Sequence, residues 1–323
     1  MNLGLKRSSF HILYIVSIFL LYSCDNSKDS KIVEGEGYVE VTGGKVWYRI
    51  NGKTDHIPVL LLHGGPGSSS YGFEPYKKLS DDRPVIFYDQ LGSGRSDRIS
   101  DTTLMTVKRY VEEVEMLRKD LNLEKVYLHG QSWGTALGLE YYLKYPEYVE
   151  GIIFSSPYFS TKQWIKDANK LVETLPDSIQ RIIRTNEENQ SFSNPEYKDA
   201  VTLFYSNFLR RKERSQAKKD TAGIYFGTNV YEYMWGPSEF TATGTLLNYD
   251  RIDKLSEVKV PVLFITGEYD EARPSTVKYY QSLVPNAKFV EIRNSGHATL
   301  NDNPEEALSA IKKFLDATDK NKE

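Results

Sequence analysis

Short runs of apolar, β-branched and aromatic residues recur along most of the chain, each closed by turn-forming residues. KVWYRI (45–50), IPVLLLHG (57–64), RPVIFYDQ (83–90), EKVYLHG (124–130), EGIIFSSP (150–157), VPVLFITGEYD (260–270) and KFVEIRNSG (288–296) have the length and composition of strands. Several are apolar without alternation, as strands buried on both faces must be. Between them the period changes. Val107, Tyr110, Val111, Val114, Leu117 and Leu121 recur at helical intervals, and TALGLEYYLKYP (135–146) stays apolar up to a proline stop. Strands alternating with helices predict an α/β fold built on a mostly parallel, doubly wound sheet.

The alternation lapses between residues 158 and 249, which are charged, tyrosine-rich and helical in composition. The economical reading is a helical cap inserted between two core strands, lying over the strand ends where open α/β sheets bind ligands. The predicted division is core over 38–157, cap over 158–249 and core again over 250–323.

Residues 1–24 follow another pattern. Lys6 and Arg7 precede the apolar stretch FHILYIVSIFLLY, which is short for a membrane span, and LYSC follows it. This predicts a bacterial lipoprotein signal peptide with lipid attached at Cys24, and a membrane-anchored place in the cell envelope. An uncleaved membrane anchor is the alternative. DNSKDSKIVEGEG (25–37) reads as a polar tether.

Composition narrows the chemistry. At 323 residues the chain suits a large core carrying an insertion, and 41 basic against 44 acidic side chains, well mixed, give no footing for nucleic acid. Cys24 is the only cysteine, which excludes an internal disulfide and a cysteine nucleophile in the folded body. No cluster of His, Cys and Asp has ligand spacing, so neither a metal nor an organic cofactor is implied.

LHGQSWGTALG (128–138) sets Ser132 between Gly130 and Gly134, after a strand run and before a helical one. Three fixed residues alone arise by chance in roughly one such chain in ten. The strand–turn–helix setting carries the signal: it is that of a nucleophile elbow, with the backbone N–H of Trp133 aimed at an oxyanion. HGGPG (63–67) follows a strand as well, and its glycines let backbone approach a developing oxyanion, so Gly65 is the second candidate donor. A plain tight turn remains the other reading of that loop. Of five histidines, His11 lies in the signal, His56 in a polar loop, His63 in the glycine turn and His129 inside a strand. His297, in the Ser-Gly loop after the last strand, remains as the base, and Asp270, at the tip of the preceding strand run, as its carboxylate partner. The chain order Ser, Asp, His is that of α/β-hydrolases.

HGGPG, FYDQLGSGRSD, GQSWGT, GEYDE and NSGH together resemble the proline iminopeptidase (prolyl aminopeptidase) family of α/β-hydrolases over residues 38–315. NPEYKDAVTLFYSNFLRR and GPSEFTATGTLLNYDRIDKL are similar to its tricorn-associated aminopeptidases. The resemblance implies a Ser132, Asp270, His297 triad with oxyanion donors at Gly65 and Trp133. It also implies that Glu239 and Glu271 grip the free amino terminus of a peptide or aminoacyl amide; by residue type alone, Glu239 would pass for a helix-surface charge. The implied activity is release of an N-terminal proline or small apolar residue through an acyl-enzyme. An esterase or amino-acid amidase with the same triad, and a catalytically silent binding protein on the same fold, are the alternatives.

Overall fold

Every apolar run of the core becomes a strand of one sheet. The strands are β1 (Gly35–Val41), β2 (Gly44–Asn51), β3 (Val59–Leu62), β4 (Val85–Tyr88), β5 (Val126–Gln131), β6 (Val149–Ser155), β7 (Val262–Gly267) and β8 (Lys288–Ile292). The computed structural model describes Met1 and residues 32–320; the signal segment beyond Met1, Cys24 and the tether up to residue 31 lie outside the described residues. Among the described residues the helices are α1 (Val107–Asp120), α2 (Trp133–Lys144), α3 (Thr161–Val172), α4 (Asp177–Glu188), α5 (Pro195–Phe208), α6 (Gln216–Tyr225), α7 (Thr228–Met234), α8 (Pro274–Leu283), α9 (Thr299–Asp302) and α10 (Pro304–Lys320). None of the described helices is long and apolar enough to cross a membrane.

The spatial order is β1-β2-β4-β3-β5-β6-β7-β8. From β4 to β8 the pairings are parallel, while β1 and β2 pair antiparallel. Both faces of the central strands are buried, and the two-residue side-chain period divides them between two cores. Leu60 and Leu62 of β3 join Val114 and Leu117 of α1 and Leu137 of α2 on one face. Val59 and Leu61 join Phe73 and Tyr76 of a 3-10 stretch, with Ile311 and Leu315 of α10, on the other. Helices covering both faces explain why these strands read as unbroken apolar runs.

β1 begins at Gly35, inside the stretch read as tether. It is an edge strand: Val39 and Val41 are buried, whereas Glu36 and Glu40 face solvent. An edge strand covered on one side keeps polar residues at alternate positions, so its composition resembles a linker.

Helices α3 to α7 occupy the interval between β6 and β7. The segment leaves and returns at one neck, where Arg251 N–H donates to Phe159 O (2.8 Å) and Thr161 N–H to Tyr249 O (3.0 Å). Ala168, Val172, Ile183, Ala200, Phe204 and Phe240 form a separate small core within it. The interval therefore packs on itself while its ends stay joined to the sheet.

The tightest constraint lies where α2 crosses β3. A Cβ at Gly134 would overlap the carbonyl oxygen of Leu62 in the central strand. Gly134→Ala is expected to destabilise the protein by about 3 kcal/mol in chemical denaturation. Gly223→Ala, at an open position of α6 where nothing lies within 4 Å, should instead be neutral or stabilise by up to about 1 kcal/mol.

Candidate active site

Because Gly134 lets the first turn of α2 press against β3, the chain must turn sharply between β5 and α2. Ser132 sits in that turn with φ 55° and ψ −125°, a conformation costing a non-glycine residue about 1–3 kcal/mol. Its N–H donates to Ser155 O (3.1 Å) at the end of β6, and its carbonyl accepts the N–H of Thr135 (2.8 Å). The strained turn leaves Ser132 half-buried on the wall of a pocket lined also by Tyr158, Trp164, Trp235 and Leu246.

The strand ends beyond β6 assemble the next layer. Asp270 lies in a tight turn after β7, its N–H on Gly267 O (3.2 Å), rather than within the strand. Its carboxylate accepts the N–H groups of Ala272 (2.8 Å) and Gly267 (3.1 Å) and the hydroxyl of Ser156 (2.6 Å). His297 Nδ1 donates to Asp270 Oδ1 at 2.8 Å, so that in the neutral ring the proton sits on Nδ1 and Nε2 is the basic nitrogen. The backbone of His297 is held too: its N–H donates to Phe208 O (2.8 Å), and its carbonyl lies 3.0 Å from Ser156 Oγ. Ser155 and Ser156 thus join the Ser132 turn to the Asp270–His297 pair.

Two further carboxyl groups face the same imidazole. Glu271 Oε1 is 3.7 Å from His297 Nδ1, and Glu271 Oε2 is buried without a hydrogen-bond partner. Glu239 arrives from the other side, in a turn after α7 rather than on a helix surface. Its oxygens accept from Tyr231 OH (2.5 Å) and Trp164 Nε1 (3.2 Å), and it shares the pocket wall with Ser132, Gly65, Trp133 and Trp235. The Trp164 ring packs edge-to-face on His297 at 5.4 Å, linking the two groups. Glu187 of α4 fixes the Glu239 turn by accepting from Ser238 Oγ (2.8 Å) and from Thr241 Oγ1.

These groups tune one another. Burial pulls the His297 pKa down, but the charges of Asp270, Glu271 and Glu239 outweigh it and push it up to about 9. Burial raises Glu271 to about 8; His297 opposes the rise, and Glu239 and Asp270 add to it. Glu239 is also raised, first by burial. Among the described residues no group of His, Cys, Asp and Glu has metal-binding geometry.

The HGGPG loop borders the same pocket through Gly65 and Pro66. Gly65 takes φ +110°, which a side chain rarely adopts, and a Cβ there would meet Gly67 N at 2.6 Å. Trp133 is the first residue of α2, where helical N–H groups have no partner inside the helix. His63 is structural: its Nε2 accepts the N–H of Gln90 (2.9 Å), while Gln90 Oε1 accepts Trp133 Nε1–H (2.9 Å). The loop DQLGSGRSD is structural as well, through buried Asp89, which accepts both the N–H and the hydroxyl of Ser70 at 2.7 Å.

A model of the alpha/beta hydrolase fold matches residues 57–304. The chain is 42% identical to the proline iminopeptidase of Heyndrickxia coagulans, covering 87% of this chain and 99% of that protein. It is 37% identical to the proline iminopeptidase of Saccharolobus solfataricus, over 87% and 92%. The chain belongs to the proline iminopeptidase family of α/β hydrolases. The crystal structure of the Mycobacterium smegmatis proline iminopeptidase superposes with a TM-score of 0.82 at 28% identity, covering 90% of this chain and 100% of that one.

Ser132, Gly65, Trp133 and Glu239 share one pocket wall, and Asp270, Glu271 and His297 form one cluster next to it through the Trp164 ring. Ser156, Trp164, Tyr231 and Glu187 join them without having been singled out in the sequence. Ser156 had only its position at the end of a strand run as a signal. The others are ordinary residues of amphipathic cap helices, whose direction depends on how the helices pack.

Because the Glu271 charge raises His297, removing it lowers the pKa. The imidazole of His297, followed by NMR, should titrate near 9 in the wild type. In Glu271→Gln the midpoint should fall by on the order of one pH unit. An unchanged midpoint would show that Glu271 does not act on the ring.

Proposed function

We propose that this chain is a serine aminopeptidase that removes an N-terminal proline or small apolar residue from peptides. The observation that carries the reading is the pair of carboxyl groups, Glu239 on the wall of the pocket that Ser132 lines and Glu271 beside His297, with Glu271 Oε2 lacking a hydrogen-bond partner. A substrate ammonium supplies the missing donors and the missing positive charge. At about 4 Å and an effective dielectric near 20, each carboxylate attracts it by roughly 4 kcal/mol, enough to select free N-termini over blocked ones.

In the proposed reaction His297 Nε2 takes the Ser132 hydroxyl proton as Oγ attacks the carbonyl carbon of the first residue. The N–H groups of Gly65 and Trp133 hold the oxyanion, and Asp270 stabilises the imidazolium. Collapse breaks the C–N bond, and His297 passes its proton to the leaving amine. Water then repeats the cycle on the ester and frees Ser132. Substrate binding also prepares the base. The incoming ammonium offsets the carboxylates that raise His297, so His297 loses its proton at lower pH in the complex than in the free enzyme.

Ser132→Ala should lower turnover by on the order of a millionfold with the fold intact by circular dichroism. Glu239→Gln and Glu271→Gln should each cost about 2 to 4 kcal/mol in kcat/KM for aminoacyl amides and far less for small esters lacking the amine. N-acetylated substrates reacting as well as free ones would replace the aminopeptidase reading with an esterase.

We also propose that the protein is a lipoprotein of a bacterial cell envelope, anchored to the membrane through Cys24. Support comes from Lys6 and Arg7, the short apolar run and LYSC. A diacyl cysteine carries enough hydrocarbon for stable anchoring, where one chain binds marginally. Mass spectrometry of the membrane fraction should find a mature N-terminus at a lipidated Cys24; an unmodified Cys24 rules the anchor out.

A further inference from the structure

The loop that carries His297 has four successive residues held by groups outside it. Ser295 O accepts the N–H of Tyr269 (2.8 Å), and Gly296 N–H donates to Asp302 Oδ2 (2.9 Å). His297 N–H donates to Phe208 O (2.8 Å) and Ala298 N–H to Leu209 O (2.8 Å). Phe208 ends α5 and Leu209 follows it, where helix carbonyls have no partner within the helix. The loop of the base therefore caps a helix of the inserted segment.

Asp302, the buried last residue of α9, closes this junction. Its Oδ2 accepts Arg211 N–H (3.0 Å) as well as Gly296 N–H, and its Oδ1 accepts Lys212 N–H (2.9 Å). One side chain thus joins three backbone donors, one beside His297 and two from the inserted segment. A carboxylate suits the place because both of its oxygens only accept. The packing is close: a Cβ at Gly296 would meet Phe208 O at 2.6 Å. The Arg211 guanidinium lies 3.9 Å from the centre of the Tyr269 ring, next to Asp270 in the chain, so the same segment also reaches the turn of the acid. Asp302 is not among the residues that line the pocket, so any effect on the reaction passes through His297.

We propose that Asp302 is a positioning residue for His297: by joining Gly296 to Arg211 and Lys212, it makes the alignment of the base depend on the seating of the inserted helices over the sheet. The inference rests on the reading of His297 as general base. The ring must keep Nδ1 on Asp270 Oδ1 while Nε2 faces the reacting hydroxyl, and Asp270 and Trp164 can hold it only where the loop delivers it. A displacement of about 1 Å at a reacting group can cost on the order of 100-fold in rate. Because Glu239 belongs to the same inserted segment, one rigid piece places both the base and an anchor for the substrate amine.

The test uses the full chain with Asp302→Asn and with the milder Lys212→Pro. Asn keeps one acceptor oxygen and turns an NH2 group toward backbone donors, so it cannot hold Gly296 and Lys212 together. Lys212→Pro removes one donor at an exposed position and leaves the carboxylate intact. Well below the melting temperature, kcat should fall roughly tenfold to a hundredfold in Asp302→Asn and by a smaller factor in Lys212→Pro. The loss should be the same for an aminoacyl p-nitroanilide and for a small ester lacking the amine, because the base serves both. Asp270 and Glu271 face His297 from the turn after β7, and Glu239 faces it from the inserted segment. As the ring leaves these carboxylates, its NMR titration midpoint should drop below the wild-type value of about 9. A purely structural Asp302 would lower the melting temperature and leave kcat and the midpoint as they are. Wild-type kcat or an unmoved midpoint in either folded variant overturns the proposal, and so does a loss confined to the anilide, which points to the amine anchor. Hydrolysis that survives His297→Ala overturns instead the reading of His297 as the base.

Discussion

One buried imidazole faces three carboxyl groups, and the rest of the site follows from that imbalance. His297 is in contact with Asp270, lies 3.7 Å from Glu271, and feels the charge of Glu239 across the Trp164 ring. Only Asp270 is fully supplied with donors, accepting from Ser156 Oγ, Gly267 N and Ala272 N. Glu239 and Glu271 are not so well supplied, and burial raises both. An arrangement with surplus buried negative charge is stable only while protons or a cation are shared among its members, which makes it receptive to an ammonium group.

Holding such a cluster requires rigid parts that approach from different directions. Asp270, Glu271 and His297 come from the carboxyl ends of β7 and β8, Ser132 from the turn after β5, and Glu239 from the inserted helices. Parallel strands deliver their ends to one edge of the sheet, which is where chemistry collects in folds of this kind. The inserted segment is tied at its neck and clamped again by backbone bonds from His297 and Ala298 to Phe208 and Leu209. Its small separate core and the Glu187 bonds to Ser238 and Thr241 keep Glu239 in a single place.

The same architecture shapes the wall beside Ser132. Toward the inserted helices the wall is aromatic, with Tyr158, Trp164 and Trp235, and holds acid.

The sequence alone determined the sheet, its helices and the nucleophile turn. Leu60 and Leu62 against Val59 and Leu61, and the Gly130-x-Ser132-x-Gly134 spacing, are local patterns, and hydrophobic period and close backbone approach are set by neighbours along the chain. Asp270 and His297 were legible because each ends or follows a strand run, and strand ends share one edge whatever their separation in sequence. Glu239 and Glu271 were legible only through resemblance, since a glutamate in a polar segment looks the same buried or exposed. β1 hid in a polar stretch because an edge strand needs only Val39 and Val41 to bury its inner face. Tertiary structure alone decided that Ser155 and Ser156 join the Ser132 turn to the Asp270–His297 pair, that Trp164 stands between His297 and Glu239, and that Glu271 Oε2 is buried without a hydrogen-bond partner. These depend on side chains from segments distant in sequence meeting at one point. No local period records such a meeting, because it is fixed by how the inserted helices pack over the sheet.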